Sequence, residues 1–332
     1  MNREAIVAHA LADGLFTVCE IGYRDGSGSS IQRWGEGSGN LFDLASLTKL
    51  FTTSAILALI DQGRLSLLSS VTSLLPIESD FLRRRLQSVS ILRLLTHHST
   101  LPAWYPFYVH RELPFFEVLQ IALSGEKPTI GMCYSDLNYL LLASVIEEII
   151  QEPLESAIKK LVLDPLALGE TTYRPDPAIC VPTEWGNRIE RQMVTDRGLS
   201  FTGWRDERRA IKGEADDGNA FYYFGGVAGH AGLFSTTDDL LAFATRFLTD
   251  FMTEELKGKV FTDWGDGRGL GWHQSELFPG NGWGHTGFTG TYLAVNPADG
   301  RALSILTNRL HVPNPRSIHE FRIAIAQTYL GA

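Results

Sequence analysis

Strand-forming sequence sits at the two ends of this chain and is nearly absent between them. Leu15 to Tyr23 alternates and is β-rich, Asp25-Gly-Ser-Gly-Ser-Ser30 is turn chemistry, and Ile31 to Trp34 begins a return strand. Near the other end, Gly269 to Trp272, Gly284 to Val295 and Ala302 to Thr307 read as strands, the last two joined by a turn at Asn296-Pro-Ala-Asp-Gly300. A helix is predicted outside each group, Arg3 to Ala12 and Ser317 to Tyr329. Such a chain can bury its strands by bringing both ends into one sheet and inserting the rest between them. That is an α+β layout in two lobes.

The middle reads as helical. Ser46 to Gln62 carries Leu50, Phe51, Ile56, Leu57, Leu59 and Ile60 at helical spacing, and Gly63 is its expected stop. From about residue 65 to 168, helical patterns alternate with Pro and Gly punctuation; Ile91 to Thr96 and Ser135 to Ile150 are the clearest. Residues 175–232 are Gly-rich, aromatic and irregular, and read as an excursion over the surface or a site rim. Ser235-Thr-Thr-Asp238 has the form of a capping box opening a helix from Leu240 to Leu248. The expected division is a sheet lobe of residues 1–64 and 233–332 and a mainly helical lobe of residues 65–232.

Composition removes several function classes. The 332 residues are 44% hydrophobic and 20% charged, enough for one large or two smaller domains with a substantial core. A formal net charge of −9 argues against nucleic acid or an anionic membrane as partner, since both require clustered Lys and Arg. No segment reaches the roughly 18 apolar residues of a membrane span. The apolar stretch Ala5 to Ala12 contains His9 and is too short and polar for a signal segment. Cys19, Cys133 and Cys180 are widely spaced, odd in number and form no CxxC pair, so neither a disulfide framework nor a cysteine zinc site is expected. A cytoplasmic location is predicted, with the periplasm or secretion as the alternative if a leader was removed. Oligomeric state is left open.

Three motifs carry chemistry. Ser46-Leu-Thr-Lys49 opens a helix, where residues three apart share a face, so the lysine amine lies beside the serine hydroxyl. A buried lysine loses its proton more easily, and the helix start places free N–H groups at the nucleophile. Ser-x-x-Lys also occurs by chance, but apolar flanks make a lysine at position 49 out of character. Tyr134-Ser135-Asp136 precedes a long apolar helix; Tyr134 is either a hydrophobic staple or, beside a lysine, a proton shuttle. His285-Thr286-Gly287 lies within Trp283-Gly-His-Thr-Gly-Phe-Thr-Gly290, whose glycines suggest close approach to the strand backbone, as by a substrate amide.

In this order the three groups match the Ser-x-x-Lys, Tyr- or Ser-containing and Lys/His-Thr-Gly elements of β-lactamases and penicillin-binding proteins. From about Leu15 to Tyr329 the chain resembles the serine β-lactamase and penicillin-binding-protein superfamily, of the class C β-lactamase type with its DD-peptidases and esterases. Leu94-Leu-Thr-His-His-Ser-Thr-Leu-Pro102, Tyr134-Ser-Asp-Leu-Asn-Tyr-Leu-Leu-Leu142, Gly225-Gly-Val-Ala-Gly-His-Ala-Gly-Leu-Phe-Ser235 and Leu306-Thr-Asn-Arg309 carry further likeness. The resemblance implies a β-lactamase/transpeptidase-like fold, an antiparallel sheet flanked by helices plus a mainly helical lobe, with the site between. It implies acylation of Ser46, proton movement by Lys49 and Tyr134, and an oxyanion hole of the Ser46 and Phe288 backbone N–H groups. His285, Thr286 and Gly287 would line the opposite wall. No metal or organic cofactor is implied.

Two departures shape the substrate expectation. Asp136 stands where Asn is commoner, which bears on recognition of a substrate amide. His285 replaces the Lys usual in β-lactamases, which reduces a fixed positive charge. Pairing Asn296 with Arg301 sets Arg309 opposite Phe288, where Arg309 would stand beside Thr286 and bind a carboxylate. The function expected is a serine hydrolase acting through an acyl-enzyme on a small ester, amide or peptide. The rivals are a DD-peptidase or β-lactamase acting on cell-wall peptides or penicillins, and a non-catalytic binding protein of the same fold. His97 and His98 are expected as helix-end caps rather than a metal pair, and His230 as part of a packed glycine loop. Trp104, Tyr105, Phe107 and Tyr108 are either core or the wall of an acyl pocket.

Overall fold

A computed structural model describes residues 2–331, and in it the two chain ends do share one sheet. Along the chain the strands are β1 (Val18–Asp25), β2 (Gly28–Gly35), β3 (Phe42–Asp43), β4 (Thr172–Tyr173), β5 (Leu233–Ser235), β6 (Trp283–Thr286), β7 (Tyr292–Val295) and β8 (Ala302–Thr307). The main sheet has the order β2-β1-β8-β7-β6 with antiparallel neighbours throughout. The join between the ends is β1 on β8, in register from Cys19 opposite Thr307 to Arg24 opposite Ala302. Strands β3, β5 and β4 form a small second sheet that leads into the site.

The terminal helices Arg3–Ala12 and His319–Leu330 cover one face of the main sheet. Their core includes Val7, Phe16, Ile21, Ile305, Phe321 and Ile325, all buried. Helix Thr237–Thr249 packs against β1, β7 and β8. It approaches β1 so closely that a Cβ at Gly22 would lie 2.2 Å from Thr237 Cγ2. Beyond it, one continuous hydrophobic core runs through the helical part of the chain. Helix Thr48–Asp61 crosses that core with residues 48 to 59 buried, and it is apolar around its circumference for that reason. Helices Asp136–Ile150 and Leu154–Ile158 pack against it, and Phe51 stacks on Phe243 with ring centroids 4.5 Å apart. Among the described residues no helix is long and apolar enough to cross a membrane.

Several local expectations need correction. Gly284 to Val295 is not one strand but a hairpin, β6 and β7, turning at 287–291. Gly269 to Trp272 is a turn rather than a strand: Gly269 N donates to Trp272 O at 2.8 Å, Gly271 has a φ of 78°, and the flanking Arg268 and His273 bridge each other, His273 also bridging Gly284. The first hairpin turns on Gly26 and Ser27 alone, because Asp25 Oδ1 accepts from the Ser27 N–H and hydroxyl and so lets the strands run on to 28–30. The N-cap of helix Thr237–Thr249 is Thr236, whose hydroxyl accepts from Asp239 N at 3.3 Å, rather than Ser235. The irregular stretch from 175 to 232 contains a helix, Arg188–Asp196.

Candidate active site

The nucleophile candidate stands at a forced bend. Ala45, just before Ser46, has a positive φ of 46°, a conformation that disfavours any side chain by about 1–2 kcal/mol. Its N–H donates to Asp43 Oδ1 at 2.8 Å, which ties the bend to β3. Residues 45–47 form a single 3-10 turn, and helix Thr48–Asp61 follows. The result is a half-exposed Ser46 on a buried helix start, with Lys49 one turn on and fully buried.

Lys49 Nζ donates to Ser46 Oγ at 2.8 Å and to the His230 carbonyl at 3.3 Å, and it lies 2.7 Å from Asp136 Oδ1. The Tyr134 ring centroid is 4.9 Å from the same nitrogen. Burial works to lower the lysine pKa, but Asp136, and after it Tyr134, outweigh it and hold Lys49 above its ordinary value. This reverses the expectation from burial alone. The lysine rests as an ammonium.

The second motif is set by a residue that sequence reading placed elsewhere. His97, 2% exposed and in a left-handed conformation at φ 62°, does not cap a carbonyl. Its Nδ1 accepts from Ser135 N at 3.0 Å and from Asn138 Nδ2 at 3.1 Å. Two donors on Nδ1 leave the ring proton on Nε2. Burial, with the repulsion of Arg268, keeps His97 neutral far below its ordinary pKa. Tyr134 packs on this imidazole at 4.6 Å, so His97 fixes both the phenol and the helix start that carries Asp136. His98 pairs instead with Asp266 at 3.2 Å.

The third motif forms the edge of the sheet. His273 N donates to Gly284 O at 3.1 Å and Gly284 N to His273 O at 3.0 Å, which covers that end of β6 and leaves His285 and Thr286 toward the cleft. The glycines serve the protein's own close approaches: a Cβ on Gly287 would lie 2.0 Å from Thr291 Oγ1 and 2.5 Å from Leu44 O. The turn is clamped beside Ser46, because Thr289 Oγ1 donates to Asp43 O at 2.8 Å and Thr291 Oγ1 to Leu44 O at 2.9 Å. Arg322 Nη2 donates to Gly287 O at 2.9 Å. A trans peptide sets C=O and N–H on opposite sides, so the Phe288 N–H is directed away from Arg322. His285 Nδ1 bonds to the Thr286 carbonyl at 2.9 Å and therefore carries the proton, and Nε2 is left as a buried acceptor without a partner. Burial and the neighbouring His273 keep this ring neutral far below its ordinary pKa.

Arg309 lies beyond the end of β8. The register that placed it is correct, with Val295 opposite Ala302 and Asn296 N bonded to Arg301 O. Phe288, however, belongs to the turn, and Arg309 meets it through Nε, which donates to the Phe288 carbonyl at 2.7 Å, with Nη1 on Arg316 O at 3.2 Å. Its guanidinium thus braces the turn as well as lining the cleft. That cleft has a volume of about 640 Å³ and includes Ser46, Tyr134, Asp136, His285, Thr286 and Phe288 in its lining. Trp104 also lines it, whereas Phe107 and Tyr108 are fully buried.

Sequence reading missed the contribution of the glycine loop and the irregular segment. His230, 1% exposed, holds Lys49 through its carbonyl, and its Nε2 lies 3.0 Å from Asp217 Oδ1. The one signal was Asp216-Asp217 upstream of that loop, which has no motif form. Asp136, Asp217 and His230 offer ligand atoms within 4.8 Å of one another. A cation there would face the Lys49 ammonium 2.7 Å from one ligand, so these residues do not fit a metal.

The comparisons with known proteins follow this geometry. An N-acetylmuramyl-L-alanine amidase of Bacillus subtilis (strain 168) is 30% identical over 312 residues, covering 82% of this chain and 69% of that protein. A protein of Escherichia coli (strain K12) named putative D-alanyl-D-alanine carboxypeptidase is 28% identical over 327 residues, covering 87% and 75%. The class C β-lactamase of Rhodobacter sphaeroides has the same fold, with a TM-score of 0.69 at 18% identity over 98% of both chains. The Beta-lactamase family model matches residues 8–328, and the chain belongs to that family.

Proposed function

We propose that Ser46 is the nucleophile of this serine hydrolase and is acylated by an ester or amide. The observation that carries the reading is Lys49 Nζ at 2.8 Å from Ser46 Oγ, beside a turn clamped to residues 43 and 44. Ser46 Oγ bonds to the substrate carbonyl carbon. Because Lys49 is held as an ammonium, Tyr134, whose ring centroid lies 4.9 Å from that amine and 5.7 Å from the Arg268 guanidinium carbon, is the group placed to receive the Ser46 proton. The carbonyl oxygen becomes an oxyanion between the Ser46 and Phe288 N–H groups, donors that need no reorganisation. Tyr134 returns the proton to the leaving oxygen or nitrogen as that bond breaks. Water then attacks the acyl-enzyme, giving up a proton to Tyr134, and the acid leaves as Ser46 is restored.

His285 and Thr286 line the site as acceptor and hydroxyl rather than as a cation, which favours esters and amides over carboxylated penicillins. The amidase and carboxypeptidase relatives support amide substrates within that class. A reducing, cytoplasmic setting is the accompanying proposal, supported by three free thiols at Cys19, Cys133 and Cys180.

The test is covalent labelling. The protein and Ser46→Ala are incubated with a fluorescent penicillin, a nitrophenyl ester and an amino-acid amide, and followed by intact mass and turnover. Rapid Ser46-dependent ester or amide turnover is expected, with at most slow penicillin adducts. Stable penicillin labelling favours the peptidase rival. No Ser46-dependent adduct with any acyl donor leaves only a binding protein.

A further inference from the structure

One buried carboxylate ties the nucleophile to a second acid. Asp43, 2% exposed on β3, accepts from Ala45 N through Oδ1 at 2.8 Å and from Asp216 N through Oδ2 at 2.7 Å. Ser46 and Asp217 directly follow these two residues, so one side chain sets the backbone before each, and both line the cleft. A hydrogen bond from Phe221 N to Asp217 O at 2.9 Å fixes the segment on its other side.

The Asp217 carboxylate is engaged through one oxygen. Its Oδ1 accepts from Ala220 N at 2.7 Å and from His230 Nε2 at 3.0 Å. Among the described residues no donor reaches Oδ2, and the side chain keeps 20% of its surface exposed. Burial works to raise Asp217, but His230 and the Ala220 N–H outweigh it and hold the carboxyl below its ordinary value. It therefore presents an ionised oxygen to the cleft at neutral pH. The other acids of this wall are occupied within the chain. Glu190 faces Tyr108 and accepts from Gly218 N, Asp216 faces Thr183 and Glu184, and Asp136 holds Lys49. Lys49 in turn has no contact to spare, with Ser46 Oγ, the His230 carbonyl and Asp136 around its three protons.

We propose that Asp217 orients the water that hydrolyses the acyl-enzyme, by accepting its second O–H at Oδ2. This rests on the acyl-transfer reading above. A hydrolytic water needs one group to take its proton and another to aim its lone pair at the carbonyl carbon. Asp136, Asp217 and His230 place polar atoms within 4.8 Å of one another, and Asp136 and the His230 carbonyl both contact the Lys49 amine beside Ser46 Oγ. The water oxygen bonds to the acyl carbon as one proton passes to Tyr134. The other O–H stays intact, donated to Asp217. The ester bond to Ser46 Oγ then breaks, Tyr134 returns its proton to that oxygen, and the acid leaves with the remaining O–H.

Asp217→Asn tests the assignment. Its amide oxygen can replace Oδ1 under Ala220 N and His230 Nε2, so that NH2 donors rather than an acceptor face the cleft. With nitrophenyl acetate, kcat/KM reports acylation and should stay within about threefold of the parent. The deacylation-limited kcat should fall by about tenfold to a hundredfold, the range for one hydrogen bond to a charged acceptor, with KM falling in step. Acetyl-enzyme dependent on Ser46 should accumulate by intact mass. Methanol has a single O–H, gives that proton to Tyr134 and needs no second acceptor, so the ratio of methyl acetate to acetate formed should rise by a similar factor. Asp217→Ala, which removes the acceptor without adding a donor, should behave alike. An equal loss in kcat/KM and kcat in both variants, or an unchanged product ratio, overturns the proposal. A parent whose turnover matches that of Ser46→Ala sinks the acyl-transfer reading and this inference with it, whereas Ser46-dependent turnover whose deacylation ignores Asp217 sinks this inference alone.

Discussion

Asp136→Asn is the perturbation that separates the two roles Lys49 can have. The carboxylate is 2.7 Å from an ammonium whose side chain is fully buried, while Asp136 itself keeps 17% of its side chain exposed. At an effective dielectric near 20 the pair is worth about 6 kcal/mol. At ~1.4 kcal/mol per unit that is a shift of about 4 pH units on Lys49. Spreading the carboxylate charge over two oxygens and admitting water at its exposed edge leaves roughly 2 to 3 units. Asp136 raises the lysine pKa, so its removal lowers it and the amine deprotonates at lower pH. If Lys49 must lose its proton for Ser46 to react, the acid limb of kcat/KM moves down by that amount, and the neutral-pH rate rises. If Lys49 acts as a fixed cation beside Tyr134, as proposed above, the variant instead loses rate toward alkaline pH, where its lysine is neutral. The assay is the pH profile of kcat/KM for a nitrophenyl ester from pH 5 to 11, with Lys49→Met as the uncharged control. A profile that keeps its shape in Asp136→Asn would refute the electrostatic account of this pair.

Other outcomes follow from named contacts. Arg322→Met frees the Gly287 carbonyl and loosens the Phe288 N–H, so kcat should fall by about tenfold to a hundredfold with KM little changed; a loss carried by KM alone would show that the turn does not hold the oxyanion. Gly229→Ala puts a Cβ 2.2 Å from the Tyr139 carbonyl and should lower stability by about 1–3 kcal/mol while shifting the His230 carbonyl off Lys49; an unchanged thermal midpoint counts against that packing. Stability should also peak in mildly acidic solution. His273 is lowered by burial to about 3, and His97 and His285 lie well below 6.5, so their contribution is lost as pH falls below that value. Asp43, Glu184 and Asp216 are raised, chiefly by burial, to about 7, 8 and 6, so theirs is lost as pH rises from the usual carboxylate range through those values. Urea unfolding across pH 4–9 reads both limbs, and a monotonic profile contradicts one set of assignments.

What the sequence disclosed and what it hid divide along a physical line. The chain-end sheet, the Ser46 helix and the order of the three motifs were legible because each depends on local periodicity or on residues three apart. The β8 register was legible too, since one turn, Asn296 to Arg301, fixes every pair after it. The hairpin within 283–295 was not, because Gly287 and Gly290 make the same composition as a glycine-weakened strand. Their reason is the approach of Thr291 across the turn to Gly287 and of Thr307 from β8 to Gly290. The charge of Lys49 was misread for a related reason. Burial was inferred from its neighbours in sequence, while Asp136 and the His230 carbonyl arrive from 87 and 181 positions away. The same holds for His97, whose imidazole meets Ser135 N across 38 positions. Local pattern thus set Lys49 beside Ser46, and long-range packing decided which way the lysine pKa moves. The departure at Asp136 is where the two meet. A single carboxylate in place of an amide turns the lysine from a candidate base into a fixed cation, and it adds a negative charge to a lining that already holds Glu190, Asp216 and Asp217.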